Sequence, residues 1–197
     1  MIGIIDTGAS NLHSITAAIE RSGRSVRRIG TVADIADVRS IILPGVGHAA
    51  HVMPRLVESG LAAALVSSSV PILGICLGMQ LLFEGTEEGN VRGLGMMSGV
   101  CRAIPAHAAI TVPHMGWNTV HAMRGPLFRS VAEGSAVYFV HRYAVASTET
   151  PDCLATVDHG GSWVAAAGRG MVYGVQFHPE KSGAIGARIL QNFLDLS

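Results

Sequence analysis

The sequence predicts an α/β fold with a mostly parallel central sheet flanked by helices and a small antiparallel extension. Short apolar runs alternate with amphipathic stretches through the first half of the chain, a pattern typical of parallel strands connected by helices. From about residue 91 onward, short strand-like runs are separated by glycines and polar turns, which favours antiparallel strands. No linker rich in proline or serine divides the two halves, so we expect residues 1–197 to form a single domain.

The individual elements follow from the spacing of the apolar residues. A continuous apolar run or a period of two predicts a strand, and apolar residues three or four apart predict a helix. In the first half we expect strands at 2–6, 38–43 and 71–75 and helices at 11–22, 49–68 and 77–84. In the second half we expect strands at 100–104, 136–145, 153–157, 163–168 and 171–177, followed by a final helix over Gly183–Leu194.

The composition excludes several classes of protein. Fourteen basic and fourteen acidic residues cancel and form no long runs, so we expect neither a nucleic-acid nor a membrane partner. The longest apolar stretch, at 70–83, is interrupted by proline and glycine and is shorter than the roughly 20 residues of a membrane-spanning helix. Three cysteines without CxxC spacing argue against a disulfide framework and a zinc knuckle. Because the first residues predict a strand and no signal peptide, we expect a cytoplasmic protein.

The strongest local motif is GICLG, in which Cys76 stands between Gly74 and Gly78 where a buried strand leads into a helix. This is the GxCxG form of a nucleophile elbow, a tight turn that exposes the side chain at its tip. At the start of a helix, the positive end of the dipole and the free N–H groups favour thiolate over thiol. Cys76 is therefore the candidate nucleophile, and the alternative is a buried structural cysteine.

A thiolate nucleophile needs a base and a group that orients the base. QFHPEKSG, at the end of the last predicted strand, offers His178 and Glu180 two positions apart, so in an extended chain both point to the same side. Because the carboxyl ends of parallel strands gather at one edge of a sheet, His178 can meet Cys76 there. His178 would act as the general base and Glu180 would hold its tautomer. The alternative is an ordinary surface pair.

LPGVG, at the end of another predicted strand, offers a third component. The two glycines allow the backbone N–H groups around Val46 to turn outward, as an oxyanion hole requires. Gly45, Val46 and Gly47 are the candidates for this role. The alternative is a plain turn between a strand and a helix.

Four histidines favour structural roles on their local patterns. His48 and His51 are three residues apart, but no nearby cysteine or carboxylate completes a ligand set, so we expect no metal. His141, in YFVHRY, lies in an alternating pattern that predicts a half-buried strand. For His114, in PHMGWN, we also expect a structural role.

DTGAS, at residues 6–10, matches the catalytic-aspartate pattern of aspartic proteases. Those enzymes use two such loops on an all-β scaffold, whereas this chain has one, followed at once by a helical pattern. We therefore expect Asp6 to close the first strand, and Ser10 or Asn11 to cap the next helix.

GICLGMQ followed by HPE resembles the class I, or triad, glutamine amidotransferases, which have a flavodoxin-like fold. PHMGWN, YFVH and FHPEKSG, in this order, resemble one branch of that family: the glutaminase subunits of imidazole glycerol phosphate synthase, in histidine biosynthesis. The resemblance covers essentially the whole chain. GxCxG is shared by many families, whereas GMQ after the elbow, PHMGWN and HPEKSG are specific.

The resemblance implies a reaction. Cys76 attacks the side-chain amide of L-glutamine to give a γ-glutamyl thioester; His178 protonates the departing ammonia and then activates water, while Glu180 orients His178. Ammonia passes internally to a cyclase subunit, which is a (β/α)8 barrel on another chain and makes imidazole glycerol phosphate and an aminoimidazole carboxamide ribotide. The resemblance also implies that the glutaminase is nearly silent until the cyclase binds its own substrate. No cofactor or metal is implied.

Further site residues are implied by the same resemblance. Gly45, Val46 and Gly47 match the oxyanion loop, with Gly47 also near bound glutamine. Positions that line the glutamine pocket are matched by Gln80, Glu88, His141 and Tyr143. Asn11 and Lys181 match positions that face the cyclase in a heterodimer.

Two alternatives stay open on the sequence. One is a stand-alone hydrolase or peptidase with a cysteine nucleophile, although an α/β-hydrolase would place its acid before the histidine and Glu180 follows His178. The other is a glutaminase subunit that serves a different amidotransferase. Arg142 departs from the family pattern, which usually has a small hydroxyl residue at this position.

Overall fold

The computed structural model describes residues 1–8, 12–106 and 110–196. Within these residues the main sheet has seven strands in the order β11-β12-β13-β4-β3-β1-β2. Its parallel strands are β1 (Ile2–Ile5), β2 (Val26–Ile29), β3 (Ser40–Gly45), β4 (Ile72–Cys76) and β13 (Val172–Val175). Two antiparallel strands extend one edge, β11 (Cys153–Asp158) and β12 (Ser162–Arg169). The predicted fold class is confirmed.

Helices cover both faces of this sheet because its inner strands are apolar on both sides. In β1, Ile4 belongs to one buried cluster and Ile5 to the other. The cluster of Ile4 includes residues of α1 (Leu12–Glu20) and α5 (Gly183–Leu194). The cluster of Ile5 includes residues of α2 (Ala49–Glu58), α3 (Leu61–Val66) and α4 (Leu77–Leu82).

Two helix predictions are wrong in their extent. The single helix expected at 49–68 is divided into α2 and α3 at Gly60, whose φ of 74° lies in the left-handed region that glycine adopts readily. The N–H of Ser59 donates to the Arg55 carbonyl and ends α2. The helix expected at 77–84 ends at Leu82, because Phe83 is extended.

The sequence pattern does not predict several short strands. β2 has arginine at two of its four positions and buries only Ile29 fully, so its apolar signal is weak. Among the described residues a second sheet has the order β10-β7-β5-β6, formed by β5 (Gly85–Thr86), β6 (Val91–Arg92), β7 (Val100–Ala103) and β10 (Tyr143–Ala144). β8 (His114–Thr119) pairs with β9 (Ala136–His141) in a separate hairpin. The strand expected at 136–145 is therefore two strands, divided at Arg142.

The parallel strands bring the predicted site residues to one edge of the main sheet. Gly45, the last residue of β3, lies opposite Cys76, the last residue of β4. On its other side β4 pairs with β13, and the chain beyond β13 leads directly to His178. Among the helices of the described residues, none combines the length and apolar character of a membrane span.

Candidate active site

Cys76 lies at the tip of a sharp turn between β4 and α4. Its φ of 55° and ψ of −113° form a combination that residues with side chains rarely adopt. A methyl group added to Gly78 would overlap the carbonyl oxygen of Leu43, and one added to Gly74 would lie 2.7 Å from the Gly78 carbonyl. The glycines of GICLG are thus required by the close approach of β3, β4 and α4, which is the geometry of a nucleophile elbow.

The Cys76 thiol is nearly buried, with 6% of the residue exposed, and it has two polar neighbours. The sulfur lies 3.6 Å from the carbonyl oxygen of Val140, to which the thiol donates. Nε2 of Gln176 lies 3.7 Å from the sulfur and donates to it. The sulfur therefore has an acceptor for its proton and a donor for its lone pairs within the protein.

His178 and Glu180 form a hydrogen-bonded pair, although not in an extended chain as predicted. Glu180 lies in a 3-10 turn over Pro179–Lys181, and His178 is the residue before it. The turn forms because the fixed φ of proline suits the first position of a helical turn. Nδ1 of His178 lies 2.8 Å from Oε1 of Glu180. Since an ionised carboxylate only accepts, Nδ1 is the nitrogen that carries hydrogen.

The other nitrogen of this ring, Nε2, is buried and has no hydrogen bond of normal geometry to any residue in the described ranges. His178 lines the same cavity as Cys76. Burial by itself lowers the pKa of His178, but interactions with Cys76 and Glu180 outweigh it and raise the pKa to about 9. The ring is therefore cationic at neutral pH, with Nε2 available for the proton transfers of catalysis.

A cavity of about 210 Å³ brings the nucleophile, the histidine and the predicted glutamine pocket together. Its wall includes Val46 and Gly47 from the predicted oxyanion loop. All four residues predicted to line a glutamine pocket are also in this wall: Gln80, Glu88, His141 and Tyr143. The volume is below the roughly 300–1,000 Å³ of sites for drug-sized ligands, so the cavity suits a small metabolite such as a free amino acid.

The polar atoms of two pocket residues are already bonded to the protein. Nε2 of Gln80 donates to the Tyr143 carbonyl at 2.9 Å. His141 is buried, and its Nδ1 lies 3.0 Å from the same carbonyl oxygen. Nε2 of His141 lies 3.1 Å from Nδ1 of His114. His141 thus forms part of the pocket wall with both ring nitrogens engaged.

Glu88 and Arg142 lie at the exposed side of the cavity. Oε2 of Glu88 accepts a hydrogen bond of 2.8 Å from the N–H of Ala49, at the start of α2. The Arg142 residue is exposed, and its carbonyl accepts a hydrogen bond from Ile104 at 2.9 Å. The arginine at position 142, where the family usually has a small hydroxyl residue, therefore places no charged group in the buried core.

The sequence pattern does not predict the role of three neighbours of Cys76. Leu77 and Val140 line the cavity, and the N–H of the residue after the nucleophile commonly contributes to the oxyanion hole of an elbow. Gln176 is fully buried beside the sulfur. A polar residue in the apolar run VYGVQF was the available signal, because buried amides need partners.

The predicted interface residues lie apart from the cavity wall or outside the described residues. Asn11 lies outside the described residues, as does Ser10. Lys181 is exposed, and its Nζ lies 5.8 Å from the centre of the Tyr138 ring. Tyr138 also contacts Trp117 edge to face.

Asp6 has a structural role in the described part of the chain. Its Oδ1 accepts a hydrogen bond from Gly8 at 2.9 Å, and Oδ2 accepts one from Nε of Arg28 at 2.8 Å. Partial burial raises the pKa of Asp6, but hydrogen bonds from Arg28 and Gly8 outweigh burial and the pKa is lowered. Asp6 therefore stays ionised and joins β1 to β2.

His48, one of the two histidines at which we expect no metal, has a structural role. Nδ1 of His48 accepts a hydrogen bond from the N–H of Ala50 and caps α2. No group of three or more possible metal ligands occurs in the ranges that the structure describes.

Comparison with known proteins places these features in a family. A family model for class I glutamine amidotransferases matches residues 3–196. Imidazole glycerol phosphate synthase subunit HisH from Xanthomonas oryzae pv. oryzae is 46% identical over 197 residues, 100% of this chain and 98% of the relative. The HisH subunit from Xylella fastidiosa is 45% identical over 99% of this chain and 97% of its own length.

Two solved structures share the fold. A structure described as a glutamine amidotransferase has a TM-score of 0.77 and 16% identity, covering 99% of this chain and 97% of its own. A structure described as PurLQS from Thermotoga maritima has a TM-score of 0.72 and 19% identity, covering 98% of this chain and 97% of its own.

Proposed function

This chain belongs to the class I glutamine amidotransferases, within the branch of HisH subunits of imidazole glycerol phosphate synthase, and we propose that Cys76, His178 and Glu180 are its catalytic triad. Family membership fixes the reaction as glutamine hydrolysis that supplies ammonia to a synthase. The observation that supports the triad best is the strained elbow at Cys76 facing one cavity with His178.

The mechanism follows from the charges at the site. Cys76 reacts as the thiolate of an ion pair with the His178 imidazolium: its Sγ attacks the amide carbon of glutamine, and the carbonyl electrons move to the oxygen. His178, held as an imidazolium by Glu180, gives its Nε2 proton to the departing nitrogen, so that ammonia and a γ-glutamyl thioester result. The neutral ring then takes a proton from water, which attacks the thioester and releases glutamate. Glu180 stabilises the cationic ring and fixes which nitrogen is free.

We further propose that Gly45, Val46 and Gly47 supply the oxyanion hole. Gly47 has a φ of 101°, a conformation that glycine tolerates and that allows its peptide group to reorient at low steric cost. Val46 and Gly47 are exposed at the cavity wall, where a backbone N–H can face the tetrahedral intermediate. Gln80, Glu88, His141 and Tyr143 form the glutamine pocket around the same space.

The partner in this proposal is a cyclase subunit in a heterodimer. Membership among the synthase subunits implies a partner subunit. An exposed surface of this chain indicates where we propose that the partner binds. Met115 and Trp117, on β8, are 63% and 59% exposed, and Trp117 touches Tyr138, which lies beneath Lys181. Large exposed apolar side chains beside a cation suit a protein interface. We call Met115, Trp117, Tyr138 and Lys181 the docking surface.

A small cavity supports a route for ammonia toward this surface. It has a volume of about 50 Å³ and contains Val46, His178 and Lys181 in its wall. Val46 and His178 also line the larger cavity. A site for one water needs at least about 10–15 Å³, so this cavity admits ammonia but not glutamine.

With all three cysteines present as free thiols, we propose that the complex works in the reducing cytoplasm.

The test is ammonia release from glutamine, measured for the chain alone and for its complex with the cyclase in the presence of the cyclase's own substrate. We expect release in the complex, loss of release in Cys76→Ala and retained release in the matched variant Cys153→Ala. Ammonia release that survives in Cys76→Ala would contradict the triad.

A further inference from the structure

Gln176 is a buried polar residue that the proposed reaction does not use. Its relative exposure is 0%, and it lies between the end of β13 and His178. Its Nε2 is 3.7 Å from the Cys76 sulfur, and its Oε1 is 3.1 Å from Nε2 of Gln80. A buried amide without hydrogen-bond partners destabilises the fold. Here both the NH2 group and the oxygen of Gln176 have a partner.

The orientation of the Gln176 amide follows from a fixed acceptor. The carbonyl oxygen of Tyr143 can only accept, so the group of Gln80 that lies 2.9 Å from it is the NH2 group. That NH2 group also donates to Gln176, which must present its oxygen. The NH2 group of Gln176 is therefore the end that faces Cys76.

Two buried histidines fix the same carbonyl from the other side. Nδ1 of His141 donates to Tyr143 at 3.0 Å, so in the neutral ring Nε2 is an acceptor and receives the Nδ1 hydrogen of His114 at 3.1 Å. Nε2 of His114 then accepts from Asn118 at 3.2 Å. Burial lowers the pKa of His141 to about 3 and that of His114 to about 4. Both rings are neutral, as this pattern requires.

We propose that Gln176 is a catalytic hydrogen-bond donor to the sulfur of Cys76, and that His114 and His141 are positioning residues that orient it through Tyr143 and Gln80. The proposal rests on the assignment of Cys76 as the nucleophile. A donor aimed at the sulfur stabilises the thiolate more than the thiol, because hydrogen bonds to ionised groups are the stronger ones. Gln176 therefore increases the thiolate fraction before glutamine is attacked.

The test measures the alkylation rate of Cys76 by iodoacetamide as a function of pH, in the full chain without glutamine. Gln176→Met keeps the length of the side chain and removes the donor. We expect the pH of half-maximal rate to rise by about one unit and the rate near pH 7 to fall about tenfold, the size of one hydrogen bond to a charged group. The rate at the high-pH plateau should not change, since there the thiolate is complete in both proteins.

The histidine relay has its own matched pair of variants. His114→Asn retains an N–H near the Nδ1 position, whereas His114→Leu removes it. We expect His114→Leu to shift the profile in the same direction as Gln176→Met, and His114→Asn to shift it less. The other titratable side chains around the cavity are unchanged in these variants: His178, Glu88, His141, Arg142 and Tyr143.

The remaining thiols are separated by subtraction of the rate in Cys76→Ala. Burial raises the pKa values of Cys101 and Cys153, so their share should be small. An unmoved profile in folded Gln176→Met overturns the donor role, and equal shifts in the two His114 variants overturn the relay. If Gln176→Met does not fold, an unmoved profile in His114→Leu overturns the proposal. Failure of ammonia release alone would instead count against the proposed function, because alkylation needs no glutamine.

Discussion

Replacing Glu180 with glutamine removes the charge beside His178 and leaves an oxygen that can still accept from Nδ1. The pKa of His178 is raised from 6.5 to about 9, which corresponds to about 3 kcal/mol, since each pH unit is about 1.4 kcal/mol. Because the pKa is raised on folding, this stabilisation is complete below about pH 6.5 and is lost as the pH rises through about 9. Cys76 supplies part of the effect, so we expect Glu180→Gln to lower the pKa of His178 by about one to two units.

The measurement is a proton–nitrogen NMR titration of the histidine rings, with His178→Gln used to assign the His178 signal. Between pH 7 and pH 10 the free energy of unfolding of the wild type should fall relative to that of Glu180→Gln. Ammonia release in the partner complex should fall at least about 100-fold, the lower end for loss of general acid–base catalysis. A His178 pKa that stays near 9 in Glu180→Gln would refute the reasoning, because the carboxylate would then contribute nothing to the imidazolium.

Three other predictions follow from the packing and the surface. Gly78→Ala should lower the free energy of unfolding by about 3 kcal/mol, the upper part of the range for overpacking, because its methyl group meets fixed backbone. The control is Gly30→Ala, whose methyl group would come no closer than 3.9 Å to Asp34 and which should change the free energy of unfolding by less than about 0.5 kcal/mol. Equal effects of the two substitutions in urea unfolding would contradict this. Asp6→Asn should cost less than about 1 kcal/mol, as for other surface ion pairs, and should leave ammonia release unchanged; loss of release would show that DTGAS is catalytic. Trp117→Ala should weaken binding to the cyclase by about 30-fold or more, as for a tryptophan at the centre of an interface, in calorimetric titrations where the equally exposed Val57→Ala serves as control. Unchanged affinity in Trp117→Ala would remove it from the docking surface.

The sequence predicted the parallel core well because its signals are local. β4 is a continuous apolar run, β3 is one apart from Ser40, and each strand is buried at every position. The sequence pattern does not predict β2, because this edge strand carries Arg27 and Arg28 next to solvent. Its pairing with β1 is what identifies it as a strand. The sequence pattern does not predict β8, because its large apolar residues Met115 and Trp117 face solvent, whereas apolar residues of a strand usually face the core.

The features of the candidate site also divide into those that the local sequence predicts and those that it does not. GICLG predicts its own turn, because glycines on both sides of the nucleophile are typical of this motif, although the carbonyl that Gly78 approaches belongs to the distant Leu43. The contact between His178 and Glu180 was also local, although a 3-10 turn replaced the expected extended chain. The partners of Gln176 and His114 could not be found from the sequence, because they are distant in the chain and a hydrogen bond between remote side chains leaves no local pattern.

The central claim is that Cys76 forms a covalent bond to the side-chain amide carbon of glutamine, Cδ. It is tested most directly by rapid acid quenching of the complex with the cyclase during turnover, followed by mass spectrometry of the peptides. We expect one peptide, the one that contains Cys76, to gain the mass of a glutamyl group as a thioester, and we expect no gain in Cys76→Ser. A glutamyl group on any other residue, or steady ammonia release with no labelled Cys76 peptide at any quench time, would contradict the account.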